Sequence, residues 1–172
     1  MILLDLKIWQ GNCKTQIIMY EMLANQYFMT GRYELACRTY EKVLSKRPKD
    51  HLIQRKLIIC YSQVGKIEKA LDIFISCLEE DIECIVSVDP VPGDCPCPDP
   101  VAELEKTLAN NLNSLDFHLM LGMLWLYCDV EKSIRYFKKA NEIDKRNKKV
   151  KKIISLLTAY QKQNNQKILD SN

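Results

Sequence analysis

Apolar positions along this chain fall three and four residues apart for most of its length, the spacing that lines one face of a helix. Ile17 to Met29 is the first such run, with Tyr20, Leu23, Ala24 and Tyr27 on one side. Gly31 supplies a turn, and Tyr33 to Leu44 predicts a second amphipathic helix using Ala36, Tyr40, Val43 and Leu44. Pro48 stops it, because proline disfavours helical geometry in the residue before it. The pattern then starts again with Leu57, Ile58, Tyr61, Gly65, Ala70, Phe74, Cys77 and Leu78.

The restart has a fixed period. Tyr27 and Tyr61 are 34 residues apart, and so are Gly31 and Gly65, Ala36 and Ala70, and Tyr40 and Phe74. Large, small and turn residues recur in one order, which marks an internal repeat. The small residue at Ala36 and Ala70 lets the two helices of a unit approach, and the ring four residues later fills the space beside it.

On these residues the chain resembles the tetratricopeptide-repeat family. Repeat 1, residues 17–50, carries Tyr20, Leu23, Ala24, Tyr27, Ala36, Tyr40 and Pro48 at the signature places. Repeat 2, 51–84, departs at Gln54, where a large aromatic is expected, and at Ile82 in place of proline. Repeat 3, 115–147, offers His118, Leu121, Gly122, Trp125, Ser133, Phe137 and Ala140, with Lys145 for proline and a turn, "CDVE", one residue shorter. The resemblance implies an all-α, right-handed α-solenoid of helix–turn–helix repeats. Such stacks need a solvating end, and the stripe Val150, Ile153, Ile154, Leu157 and Tyr160 predicts a capping helix over 148–163, then a polar tail, 164–172. The N-terminal segment, 1–16, is expected to pack on repeat 1 or on another chain.

Leu57 and Leu121 are 64 residues apart, four short of two periods. Residues 85–114 are therefore a degenerate repeat in phase with its neighbours. "VAELEKTLANNL" is its second helix, and the Pro/Cys loop 87–100 takes the place of its first. That loop holds five of the six prolines, which forbid a helix there. It also holds Cys95 and Cys97. A structural loop is the first reading; a disulfide or redox pair is a second. In a third, Cys77, Cys84, Cys95 and Cys97 supply four thiolates to a metal, zinc being the ion considered. Zinc sites usually draw on paired motifs of wider spacing than C-x-C.

A length of 172 residues, 47% apolar and 27% charged, is that of one globular domain. No basic leader precedes an unbroken apolar core, and no run reaches membrane-spanning length, so a reducing, cytoplasmic setting is expected. Cys37, Cys60, Cys77 and Cys128 read as small buried hydrophobes on helices, and the thiols as mostly free. A net charge of +3 is too small by itself to argue for nucleic acid, and no specific nucleic-acid partner is expected. Lys145, Arg146, Lys148, Lys149, Lys151 and Lys152 read first as the solvated face of the cap, with attraction of an acidic protein, RNA or an anionic membrane surface as the alternative. No glycine-rich phosphate loop or nucleophile constellation occurs, and His118 reads as packed, so no catalytic residue and no cofactor are expected.

By the same resemblance, the first helices of the repeats line a groove for a partner's peptide or helix. The implied positions are Glu21, Met22, Asn25, Phe28 and Met29; Leu52, Arg55, Lys56, Ile59 and Gln63; and Asp116, Leu119, Met120, Met123 and Tyr127. The lining is apolar and methionine-rich, which suits an adaptable surface. The family's carboxylate clamp for chaperone tails is matched only at Asn25. The expected function is a non-catalytic scaffold, with a thiol-based metal or redox module and self-association through the N-terminal apolar strip as alternatives.

Overall fold

The computed structural model describes residues 2–86, 99–107 and 111–170, all helices and turns among the described residues. The chain divides into two compact units, 1–64 and 65–172.

Unit 1 holds α1 (Ile2–Met29), α2 (Tyr33–Leu44) and α3 (His51–Gln63). α1 begins at Ile2 rather than at Ile17, so the N-terminal segment continues the first repeat helix. α1 is about 42 Å long against about 18 Å for α2. Gly31, at φ +69°, makes the turn between them, with the Arg32 amide closing on the Tyr27 carbonyl at 2.8 Å. Left-handed backbone there favours glycine. α2 packs on both α1 and α3. Ala24, Ala36, Cys37, Tyr40, Val43, Ile53, Leu57 and Cys60 are fully buried, so the small residue at Ala36 and the ring at Tyr40 sit where the repeat pattern puts them.

Gln54 departs from an aromatic position and is nevertheless buried. Its amide donates to the Pro48 carbonyl at 2.9 Å and its Oε1 lies 3.0 Å from His51 Nδ1. Polar bonds thus fix the α2–α3 connection, where Asp50 also caps α3 through the Ile53 amide.

Unit 2 holds α4 (Ile67–Glu80), α5 (Glu83–Val86), α6 (Asp99–Lys106), α7 (Leu115–Trp125), α8 (Val130–Ile143) and α9 (Lys148–Asp170). α7 and α8 form an extensive pair, α9 covers α8, α4 meets α7 and α9, and α6 lies on α7. Leu71, Phe74, Leu121, Leu124, Phe137, Val150, Ile153 and Leu157 are its buried core. Phe74 and Phe137, the ring positions of two different repeats, meet at 5.7 Å between centroids. α9 runs to Asp170, well past the expected end at 163.

The short third turn lacks glycine and has no left-handed residue. Instead Asp129 folds back, its amide donating to Trp125 at 2.7 Å and its carboxylate capping α8 through the Lys132 amide. One expectation is corrected there. Because α7 stops at Trp125, Cys128 falls in this turn, where it is exposed and disulfide-bonded, not a buried helical thiol.

Two buried tyrosines donate to carboxylates within their units: Tyr61 to Glu41, and Tyr136 to Glu105 at 2.6 Å. Burial first, then the bond to the carboxylate, pushes both hydroxyls well above the ordinary tyrosine range. A raised folded-state pKa means the folded chain keeps protons that the unfolded chain releases. Their contribution is fully present below the unfolded value of about 10 and is lost as pH rises toward the folded values. The urea midpoint is therefore expected to fall above that pH, and to fall less steeply in Tyr61→Phe and Tyr136→Phe. Equal slopes in parent and variants would refute this assignment.

Candidate functional site

The predicted groove residues divide sharply by exposure. On α1, Met22 and Met29 are each 68% exposed, and Ile18, Met19 and Leu23 stand exposed beside them. Ile18, Met19, Met22 and Leu23 recur at three- and four-residue spacing, and Met29 follows two turns beyond Met22 with the exposed Gln26 between them. Glu21, Asn25 and Phe28, on the flank nearer α2, are half-buried.

The polar members of that flank are engaged within unit 1. Asn25 Oδ1 accepts from Tyr40 at 2.7 Å and from the Lys56 ammonium at 2.9 Å. Lys56 is only 8% exposed and lies 6.0 Å from the Phe28 ring centroid, so its charge is held by a dipole and a π face. Glu21 pairs with Arg47, which also reaches Asp50 at 3.2 Å. Asn25 is thus a structural hub rather than a waiting ligand donor.

On α3, Ile59 is buried, Leu52 and Arg55 are half-buried, and Gln63 is exposed. On α7, Leu119 and Met123 are buried, Met120 is half-buried and Asp116 is exposed, and Tyr127 is buried in the turn that follows. Phe117 to Trp125 is enclosed at every position but Met120, the behaviour of a helix that is apolar on all sides. Part of that enclosure is α6, where Glu105 Oε1 accepts from Trp125 Nε1 at 2.9 Å and from the Tyr136 hydroxyl.

His118 is buried, with Nδ1 2.8 Å from the Ser114 carbonyl. Cys37 and Cys60 are fully buried and in contact; the hydrogen bond that the Cys60 thiol makes to Cys37, then burial, pushes that thiol far up. Such thiols are inert. Of the four cysteines considered for metal, Cys95 and Cys97 lie outside the described residues. Cys77 and Cys84 come together in unit 2, with Sγ atoms within 4.8 Å.

The basic run also finds partners at home. Lys149 reaches Glu68 at 2.8 Å and Asp72 at 2.6 Å, and Lys152 reaches Glu79 at 2.5 Å. A row of carboxylates on α4 therefore faces two of the six cations. No single exposed pair of this kind contributes much stability, yet together they orient α9 along α4.

No helix among the described residues is long and apolar enough to cross a membrane. No protein-family model matches the chain, and no curated protein does. Among solved structures it is similar to the crystal structure of MamA protein, at 19% identity and a TM-score of 0.36, over 82% of this chain and 80% of that one. It is similar also to MamA MSR-1 C2, at 18% identity and a TM-score of 0.35, over 85% of this chain and 87% of that one.

Proposed function

We propose that this chain is a non-catalytic scaffold that holds an amphipathic helix or apolar segment of a partner protein. The observation that carries the reading is the exposed strip Ile18, Met19, Met22, Leu23 and Met29 on α1. Apolar patches of this kind on soluble domains mark contact surfaces, and methionine adapts to varied apolar partners. The repeat phase supports it, since tetratricopeptide-like stacks use their first helices in this way. The proposed architecture is the right-handed solenoid with a C-terminal cap, and the proposed setting is cytoplasmic.

The burial of Ile59, Leu119, Met123 and Tyr127 narrows the surface. Partner contact is assigned to α1 first, with Gln63 as an exposed polar position on α3 of the same unit. Capture from the native source, followed by affinity measurement with the purified partner, tests the reading. Full burial of a methionine side chain is worth about 1.5–3 kcal/mol. Met22→Glu and Met29→Glu are each expected to weaken binding roughly 10- to 100-fold, with unchanged helical circular dichroism. Binding that is indifferent to both would sink the proposal.

A further inference from the structure

The turn that ends α4 brings two cysteines of unit 2 together, and Asp81 organises it. The Asp81 amide donates to the Cys77 carbonyl at 2.9 Å, and its own carbonyl accepts from the Cys84 amide at 3.1 Å. Its carboxylate accepts from the Glu83 amide at 3.0 Å. The chain thus doubles back over the last turn of α4, and the two Sγ atoms lie within 4.8 Å of each other.

α5 is anchored in that position. Ile85 is fully buried, and Tyr160 of α9 donates to Glu83 at 3.0 Å. Cys77 is fully buried, Cys84 is half-buried, and neither is in a disulfide.

The geometry points to Cys77 and Cys84 as two thiolate ligands of a site for a thiophilic d10 cation, zinc or copper(I). Thiolate–metal bonds of about 2.3 Å put two sulfurs about 3.8 Å apart around a tetrahedral ion and about 4.6 Å apart around a linear one. Both separations fall inside the observed limit. Sulfur selects these ions over hard cations. The turn is formed by backbone bonds, so the ion would not have to order the chain. The half-exposed Cys84 offers an approach, and the buried Cys77 limits competing water. The Cys37–Cys60 pair, fully buried on both sides, lacks that approach.

Binding is an exchange without redox change. Each thiol releases its proton as its sulfur donates an electron pair to the ion, so one ion displaces two protons and affinity rises with pH. Coordination positions beyond the two sulfurs are filled by water or by further donors.

The test titrates the reduced, full-length chain anaerobically, with zinc in one arm and copper(I) in the other, each against a chromophoric chelator. Cobalt(II) loading reports sulfur ligation through its charge-transfer band. One equivalent of at least one ion is expected to bind. Replacing Cys84 by Ser is expected to weaken it by more than the roughly 100-fold that loss of an outer-shell partner costs, with helical circular dichroism intact. Cys77→Ser should do the same, and Asp81→Ala, which leaves both thiols but loosens the turn, should weaken binding by roughly tenfold. Zinc retention would assign a tetrahedral site, and copper(I) alone a two-coordinate one. Failure of both ions to bind, or full affinity in a folded Cys84→Ser variant, would overturn the proposal.

Discussion

Phe137→Ala is expected to lower unfolding stability by about 3–5 kcal/mol, the largest effect of any single change in unit 2. Phe137 is fully buried on α8. One side of its ring packs toward Phe74, at 5.7 Å between centroids. Its edge lies against Gly122 of α7 so closely that a Cβ there would sit 2.9 Å from the ring. The Ser133 hydroxyl donates to the Gly122 carbonyl at 2.7 Å, holding α8 at that distance. Truncation leaves a cavity that two hydrogen-bonded helices cannot close. A cycle isolates the cause. Gly122→Ala alone should be destabilising, because the ring must move, by about 1–3 kcal/mol of overpacking. In the Phe137→Ala background the same change should be neutral or stabilising, since alanine gains about 1 kcal/mol over glycine in a helix. Urea unfolding followed by circular dichroism reads all four proteins. Additive effects would show that the contact is not what limits stability here.

Glu105→Ala is expected to cost about 2–4 kcal/mol, the next largest effect. One carboxylate oxygen accepts from both Trp125 Nε1 and the Tyr136 hydroxyl, and both donors belong to residues that are buried. Removing the acceptor strands two buried donors at about 1–3 kcal/mol each. The Lys132 ammonium, 3.6 Å above the Trp125 ring centroid, closes the other side of the indole. Glu105→Gln is the informative control. Its amide oxygen accepts both bonds, so its cost should be the smaller, reflecting only loss of charge assistance. Equal destabilisation by the two substitutions would mean that Glu105 acts through its charge rather than as an acceptor. α6 follows the proline-rich segment in the sequence, and Glu105 is what bonds it to Trp125 of α7 and Tyr136 of α8.

The sequence pattern made the pairs α1–α2 and α7–α8, and the helices α3 and α4 each by itself, legible because their signals are local. Gly31 and Gly65 each mark a left-handed turn, and Ala36, Ala70, Tyr40 and Phe74 are all fully buried where the 34-residue period places them. The misreadings came where a residue answers to a distant partner. Gln54 looked like a defect because its hydrogen bonds to the Pro48 connection leave no trace in hydropathy. Cys128 looked buried because the helix was extended through a turn that Asp129 in fact closes. Lys149 read as solvated because its partner Glu68 lies 81 residues away.

The groove shows the same limit most clearly. Periodicity says that Met22, Lys56 and Met120 occupy corresponding places on first helices, but not what covers each helix. Met22 is open, Met120 is half-buried and Lys56 is buried. For the thiols, the sequence grouped Cys77 and Cys84 with Cys95 and Cys97 without a spacing motif, and the Asp81 turn is what makes Cys77 and Cys84 neighbours.

Docking of a partner segment on the apolar face of α1 is tested most directly by methionine oxidation footprinting. Oxidation to the sulfoxide follows exposure, so Met22 and Met29 should oxidise readily in the isolated chain while the fully buried Met123 does not. In complex with the captured partner, Met22 and Met29 are expected to be protected several-fold, with Met123 unchanged. Equal oxidation of Met22 and Met29 with and without the partner would contradict the account.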